Sequence, residues 1–130
     1  MIAVSKETFE ELVNRAISSL PKAYVEKIKN VAFIVEDEPS LDQRISMHLG
    51  PHQTLFGLYE GTPLTQRQGM TKLLPDKITI FKKPIEYTSA DMNQLYERVG
   101  RTVWHEVAHY FGLDHQRIYD LEAKEKDGKS

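Results

Sequence analysis

The sequence predicts an α+β domain, with helices at both ends of the chain and short strands between them. Three observations carry that class. Apolar residues recur at helical spacing near the N-terminus and again between residues 92 and 110. Short runs rich in β-branched and aromatic side chains occupy the middle of the chain. The length, 130 residues, fits one domain over 1–130 that buries roughly two-thirds of its unfolded surface without staples.

The elements follow in order. Thr8-Phe9-Glu10-Glu11 has capping-box spacing, with Ser5 as a rival N-cap. Phe9, Leu12, Val13, Ala16, Ile17 and Leu20 then share a face, so the first helix is expected to reach about Ser19. Pro21 suits the first turn of a second helix, where its missing N–H costs nothing. Ala23, Tyr24, Val25 and Ile28 give that helix an apolar side, and Asn30 is its expected C-cap. Residues 31–35 form a continuous apolar run and read as a strand buried on both faces. Glu36, Asp37 and Glu38 end it in a solvated turn; read functionally, they are a rim that disfavours anionic substrates. Residues 40–52 show no clean period. His48 and His52 flank the turn signal Gly50-Pro51 and are expected to be exposed rather than ligands.

Residues 53–60 read as a second strand, with Gly57 inside it marking a bulge or a close approach by another backbone. Two readings stand side by side. Gly57, Leu58 and Tyr59 form a sheet edge that holds an extended peptide by main-chain bonds, or Gly57 is a hairpin kink. A polar loop over 62–76 leads to a third strand at 77–81, which Pro84 ends or places at an edge. Thr88 or Ser89 is the expected cap of a long helix over about 89–111, roughly 34 Å at 1.5 Å per residue. Met92, Leu95, Tyr96, Val99, Val103 and Tyr110 form its stripe, and Gly100 allows close packing. Asp114 caps a last helix over 115–125.

Composition narrows the function. A net charge of −2 argues against a strongly basic nucleic-acid binder, so no nucleic-acid partner is expected. With no cysteine, there is no disulfide framework, thiolate metal cluster or thiol nucleophile. Any metal must be held by His and carboxylate groups. The first residues lack a signal h-region, and no run approaches the ~18–20 apolar residues of a membrane span. A cytoplasmic protein with no membrane partner is the expectation.

The chemistry concentrates in His105-Glu106-Val107-Ala108-His109-Tyr110-Phe111-Gly112-Leu113-Asp114-His115. His105 and His109, four apart on a helix, share one face and can bind one Zn²⁺. Glu106 projects to the side, as a general base rather than a ligand. Gly112 permits a left-handed turn, after which His115 can swing back as a third nitrogen ligand. Three protein ligands plus water is the open, catalytic arrangement. Such a pattern arises by chance on the order of a few times in 100,000.

This stretch resembles the zincin metallopeptidases and, in its long form, the metzincins. The metzincin pattern is incomplete: only fifteen residues follow His115 and none is the methionine of that group's downstream turn. The closer resemblance covers most of the chain. Phe56-Gly57-Leu58-Tyr59-Glu60-Gly61-Thr62-Pro63-Leu64-Thr65, then Leu74-Pro75-Asp76-Lys77-Ile78-Thr79-Ile80-Phe81, then Val103-Trp104-His105-Glu106, is similar to the small bacterial zincin-like metallopeptidase family. That resemblance implies a minimal zincin-like domain. It has a small mixed sheet of three or four strands, about four flanking helices, and an edge bordering a metal site on the 89–111 helix. The family often has Asp or Ser at the third-ligand position; His115 is the stronger ligand.

The expected function is a Zn²⁺-dependent peptide hydrolase acting on a peptide or protein, with His105, His109 and His115 as ligands and Glu106 as base. Tyr59, Tyr110 and Tyr119 are candidate oxyanion stabilisers, and Glu122 an alternative third ligand. The site also resembles bacterial rRNA-maturation metalloenzymes, which makes a metal-dependent endoribonuclease the first rival. A non-enzymatic binding or regulatory module is the second. So short a chain has little room for the wall of a protease cleft, so a partner protein or an oligomer is expected to complete it.

Overall fold

The structure, a computed structural model, describes residues 1–61 and 75–112. Helix α1 spans Lys6–Ser18 and buries Phe9, Leu12, Val13 and Ala16, the face that the periodicity predicts. Its N-cap is Ser5 rather than Thr8; the Ser5 hydroxyl accepts the Thr8 N–H at 3.1 Å. Helix α2 is one turn, Lys22–Val25, and does not run on to a cap at Asn30. It buries no residue, and a short helix without a packed face has little to sustain it. Asn30 instead adopts φ 57° and its carbonyl accepts the Asp76 N–H at 2.9 Å.

Strand β1 (Val31–Glu36), strand β2 (Gly57–Glu60) and strand β3 (Asp76–Phe81) form a mixed sheet in the order β1-β3-β2. β1 runs parallel to β3, from Val31↔Asp76 to Glu36↔Phe81. β2 runs antiparallel, from Gly57↔Ile80 to Glu60↔Lys77. Among the described residues, the strand expected to be buried on both faces is therefore at an edge, and of β1 only Val35 is buried.

Helix α3, Leu41–Ser46, lies where no period shows. Its apolar residues Leu41 and Ile45 are 73% and 64% exposed, so they trace no core face. Its signal is the capping box of Ser40 and Gln43. Helix α4, Lys82–Thr88, follows β3 directly, and Pro84 sits in its first turn, where a missing N–H is tolerated. Helix α5 spans Met92–Tyr110. Thr88 and Ser89 belong to the end of α4, so the cap of α5 is Asp91, whose carboxylate accepts the Gln94 N–H at 2.9 Å. The long helix is thus about 28 Å rather than 34 Å.

One core joins these parts. Phe9, Leu12 and Val13 of α1 pack with Leu95, Val99, Val103 and Val107 of α5 over Val35, Ile78 and Ile80 of the sheet. Ahead of α1, Val4 N–H donates to the buried Glu86 carboxylate at 2.7 Å, and Lys82 pairs with it at 3.0 Å. Among the described residues no helix is long and apolar enough to cross a membrane. The predicted 62–76 loop (except Pro75 and Asp76), the 115–125 helix, His115, Tyr119 and Glu122 lie outside the described residues.

Candidate metal centre

The last turns of α5 carry the site. Helical spacing places the His105 and His109 rings on one partly exposed face, with centroids 4.9 Å apart and planes at 71°. Glu106 lies beside them and is buried. The ligand-type atoms of His105, Glu106 and His109 all fall within 4.8 Å of one another. Two imidazoles and an adjacent carboxylate, with no sulfur, are a donor set that suits Zn²⁺. His48 and His52 are exposed and form no part of this group.

Strand β2 shapes the rest. The Phe81 N–H bonds the Phe56 carbonyl oxygen at 2.8 Å, so alternation turns the main chain of Leu58 and Glu60 toward β3 and that of Gly57 and Tyr59 away from it. Tyr59 N–H donates to the Glu106 carboxylate. Burial pushes the Glu106 carboxyl up from 4.5 to about 7, against the opposing pull of that hydrogen bond. In the metal-free fold this carboxyl is half-ionised near neutral pH.

Gly57 explains how strand and helix come so close. A Cβ there would stand 2.7 Å from Thr102 Cγ2, 3.1 Å from Glu106 Cγ and 3.3 Å from the Thr79 carbonyl oxygen. The glycine marks a close approach, though mainly by helix side chains, and it begins the strand rather than interrupting it. Thr102, one turn before Glu106, meets the same glycine, and its hydroxyl bonds back to the Arg98 carbonyl at 2.7 Å. Helical spacing already places Thr102 beside His105 and His109; its approach to Gly57 is what the sequence does not show.

The tyrosine hydroxyls hold structure. Tyr59 donates to Oδ2 of the fully buried Asp76 at 2.6 Å. Tyr110 donates to the Lys29 carbonyl at 3.1 Å and accepts its N–H at 3.3 Å. Nothing in the sequence around Asp76 beyond a turn signal marked it as a buried acid.

A family model for zincin-like metallopeptidases matches residues 28–125. Among solved structures, a conserved hypothetical protein from Thermus thermophilus is similar in fold, with a TM-score of 0.53 at 17% identity. The alignment covers 92% of this chain and 99% of that one. No curated protein matches. With the family match running from before β1 to beyond α5, the chain belongs to the zincin-like metallopeptidase family.

Proposed function

We propose that the protein is a Zn²⁺-dependent peptide hydrolase. The observation that carries this reading is the Glu106 carboxyl, buried between the two histidines and the Tyr59 N–H of the edge strand. His105 and His109 would hold the ion through ring nitrogens, with His115 as third ligand. When bound, Zn²⁺ supplies Lewis-acid polarisation of the scissile carbonyl and acidifies water. Glu106 accepts a proton from the attacking water on its carboxylate and delivers it to the leaving amine. The Tyr59 N–H fixes the orientation of that carboxylate. The outward main chain of Gly57 offers an N–H and a C=O to an extended peptide, the substrate form a sheet edge accepts.

Glu106→Gln tests the assignment. The variant is expected to retain zinc by elemental analysis and to lose about 10²–10⁴-fold in peptide cleavage, the usual worth of a general base. Equal cleavage by a zinc-loaded variant would sink the base role. A structured RNA run beside the peptides, each with and without chelator, separates the nuclease reading. Cleavage of RNA alone overturns the peptidase. As-purified protein that holds no metal and ignores added Zn²⁺ favours a binding module instead.

A further inference from the structure

The sheet has a second edge, on the side opposite β2. Strand β1 pairs with β3 on one side and with nothing on the other among the described residues. The Asp76 N–H to Asn30 carbonyl bond and the register Val31↔Asp76 turn the main chain of Ala32, Ile34 and Glu36 toward β3. The N–H and C=O groups of Val31, Phe33 and Val35 therefore point outward, and no hydrogen bond among the described residues engages them. Residues 31–35 contain no Pro, Gly or charge, the devices that blunt an edge. An open groove of about 430 Å³ follows this edge, lined by Phe33 and Ile34 together with Lys6, Glu10 and Asn14 of α1.

The flanks of β1 carry opposite charge. Lys27 and Lys29 precede the strand, and Glu36, Asp37 and Glu38 end it or follow it. All five side chains are exposed, and none of the ion pairs among the described residues includes them. A strand that is basic at its start and acidic at its end is complementary to itself run backwards.

We infer that a second copy of this chain occupies this edge, with β1 pairing antiparallel to β1 about a two-fold axis at Phe33. Parity sets the register. Outward groups must meet outward groups, so Val31 faces the partner's Val35 and Phe33 faces the partner's Phe33. That register makes roughly six main-chain hydrogen bonds, and other registers of the same parity make fewer. It also brings the basic start of each strand, Lys27 and Lys29, beside the partner's acidic end, Glu36 to Glu38, on both sides of the axis. The contact is isologous and closed. The sheet becomes continuous across the pair, leaving both β2 edges and both metal centres at its far ends. An extended segment of another protein would satisfy the same main-chain groups but would leave the reversed charge pattern unused.

Sedimentation equilibrium on the full chain over roughly 1–100 μM tests this. The expected mass is twice the 15.0 kDa of one chain, falling toward the single-chain value at the dilute end. Lys29→Glu puts two like-charge contacts across the axis and is expected to weaken the pair about tenfold. The double variant Lys29→Glu/Asp37→Lys is expected to recover affinity to within about threefold of wild type. Both side chains are exposed, and Asp37 bonds Lys83 only through its carbonyl, so folding should survive; circular dichroism checks this. A single-chain mass at every concentration overturns the inference. So does a pair indifferent to Lys29→Glu, or a double variant no tighter than the single one.

Discussion

Glu106 carries its charge in a place that resists it. The residue is 7% exposed, and its pKa stands near 7 rather than 4.5. In the unfolded chain the group loses its proton around pH 4.5; in the metal-free fold it keeps the proton until about 7. The raised value means that the fold binds more protons than the unfolded chain between those limits. The stabilisation is fully present below pH 4.5 and is lost as pH rises through 7. A shift of this size corresponds to about 3 kcal/mol. Urea unfolding of chelator-treated wild type and Glu106→Gln should therefore diverge with pH, the wild type losing about 3 kcal/mol relative to the variant between pH 4.5 and 7.5. A stability difference that does not change with pH would mean that burial does not raise this group. Gly57 permits this burial. Gly57→Ala meets Thr102, Glu106 and the Thr79 carbonyl within 3.3 Å. Overpacking there is expected to cost about 1–3 kcal/mol in thermal or urea unfolding and to displace the Glu106 side chain.

At the scale of elements, the site depends on where α5 starts and how β2 is held. Asp91 caps α5 through the Gln94 N–H. Asp91→Ala is expected to cost about 1 kcal/mol of stability by urea unfolding without altering zinc content, since the histidines lie at the helix's other end. The face of α1 and most of that of α5 were legible because both helices bury a periodic stripe in one core; Met92 and Tyr96, expected on that stripe, are exposed. His105, Glu106 and His109 were legible for the same reason: helical spacing alone brings them together. The cap of α5 was misplaced because α4 lay hidden. A proline three residues past a strand reads as its end, yet here it opens a helix that uses Thr88 and Ser89 at its own close. Helix α3 was hidden because Leu41 and Ile45 face solvent. The contact of β2 with α5 was only half legible. Gly57 signalled a close approach, but its partners, Thr102 and Glu106, lie more than forty residues away and are brought there by the antiparallel pairing of β2 with β3.

Across the whole molecule, the question is whether the metal-bearing helix and the far side of the domain melt as one. The contacts say that they do. Residues 2–4 cross to α4, where Ile2 N–H bonds the Glu86 carbonyl at 3.2 Å and Val4 N–H bonds its carboxylate. α4 leads into α5, α5 packs on α1, and α1 returns to those first residues, so the core is closed through the chain's own connections. Glu86 is 3% exposed, and the Lys82 side chain that pairs with it is 12% exposed. Removing one member of so buried a pair leaves the other uncompensated, at a cost of about 3 kcal/mol. Trp104, the single tryptophan, reports from the other end of the fold, beside His105 and against Tyr24 at 5.2 Å. Glu86→Ala is therefore expected to lower the urea midpoint seen by Trp104 fluorescence as much as the midpoint seen by far-UV circular dichroism, with unchanged slopes. If the tryptophan signal keeps its wild-type midpoint while the dichroism shifts, the site-bearing half is a separate cooperative unit. In that case the substitution could not reach the metal centre, and the N-terminal tie would serve only the far end of the domain.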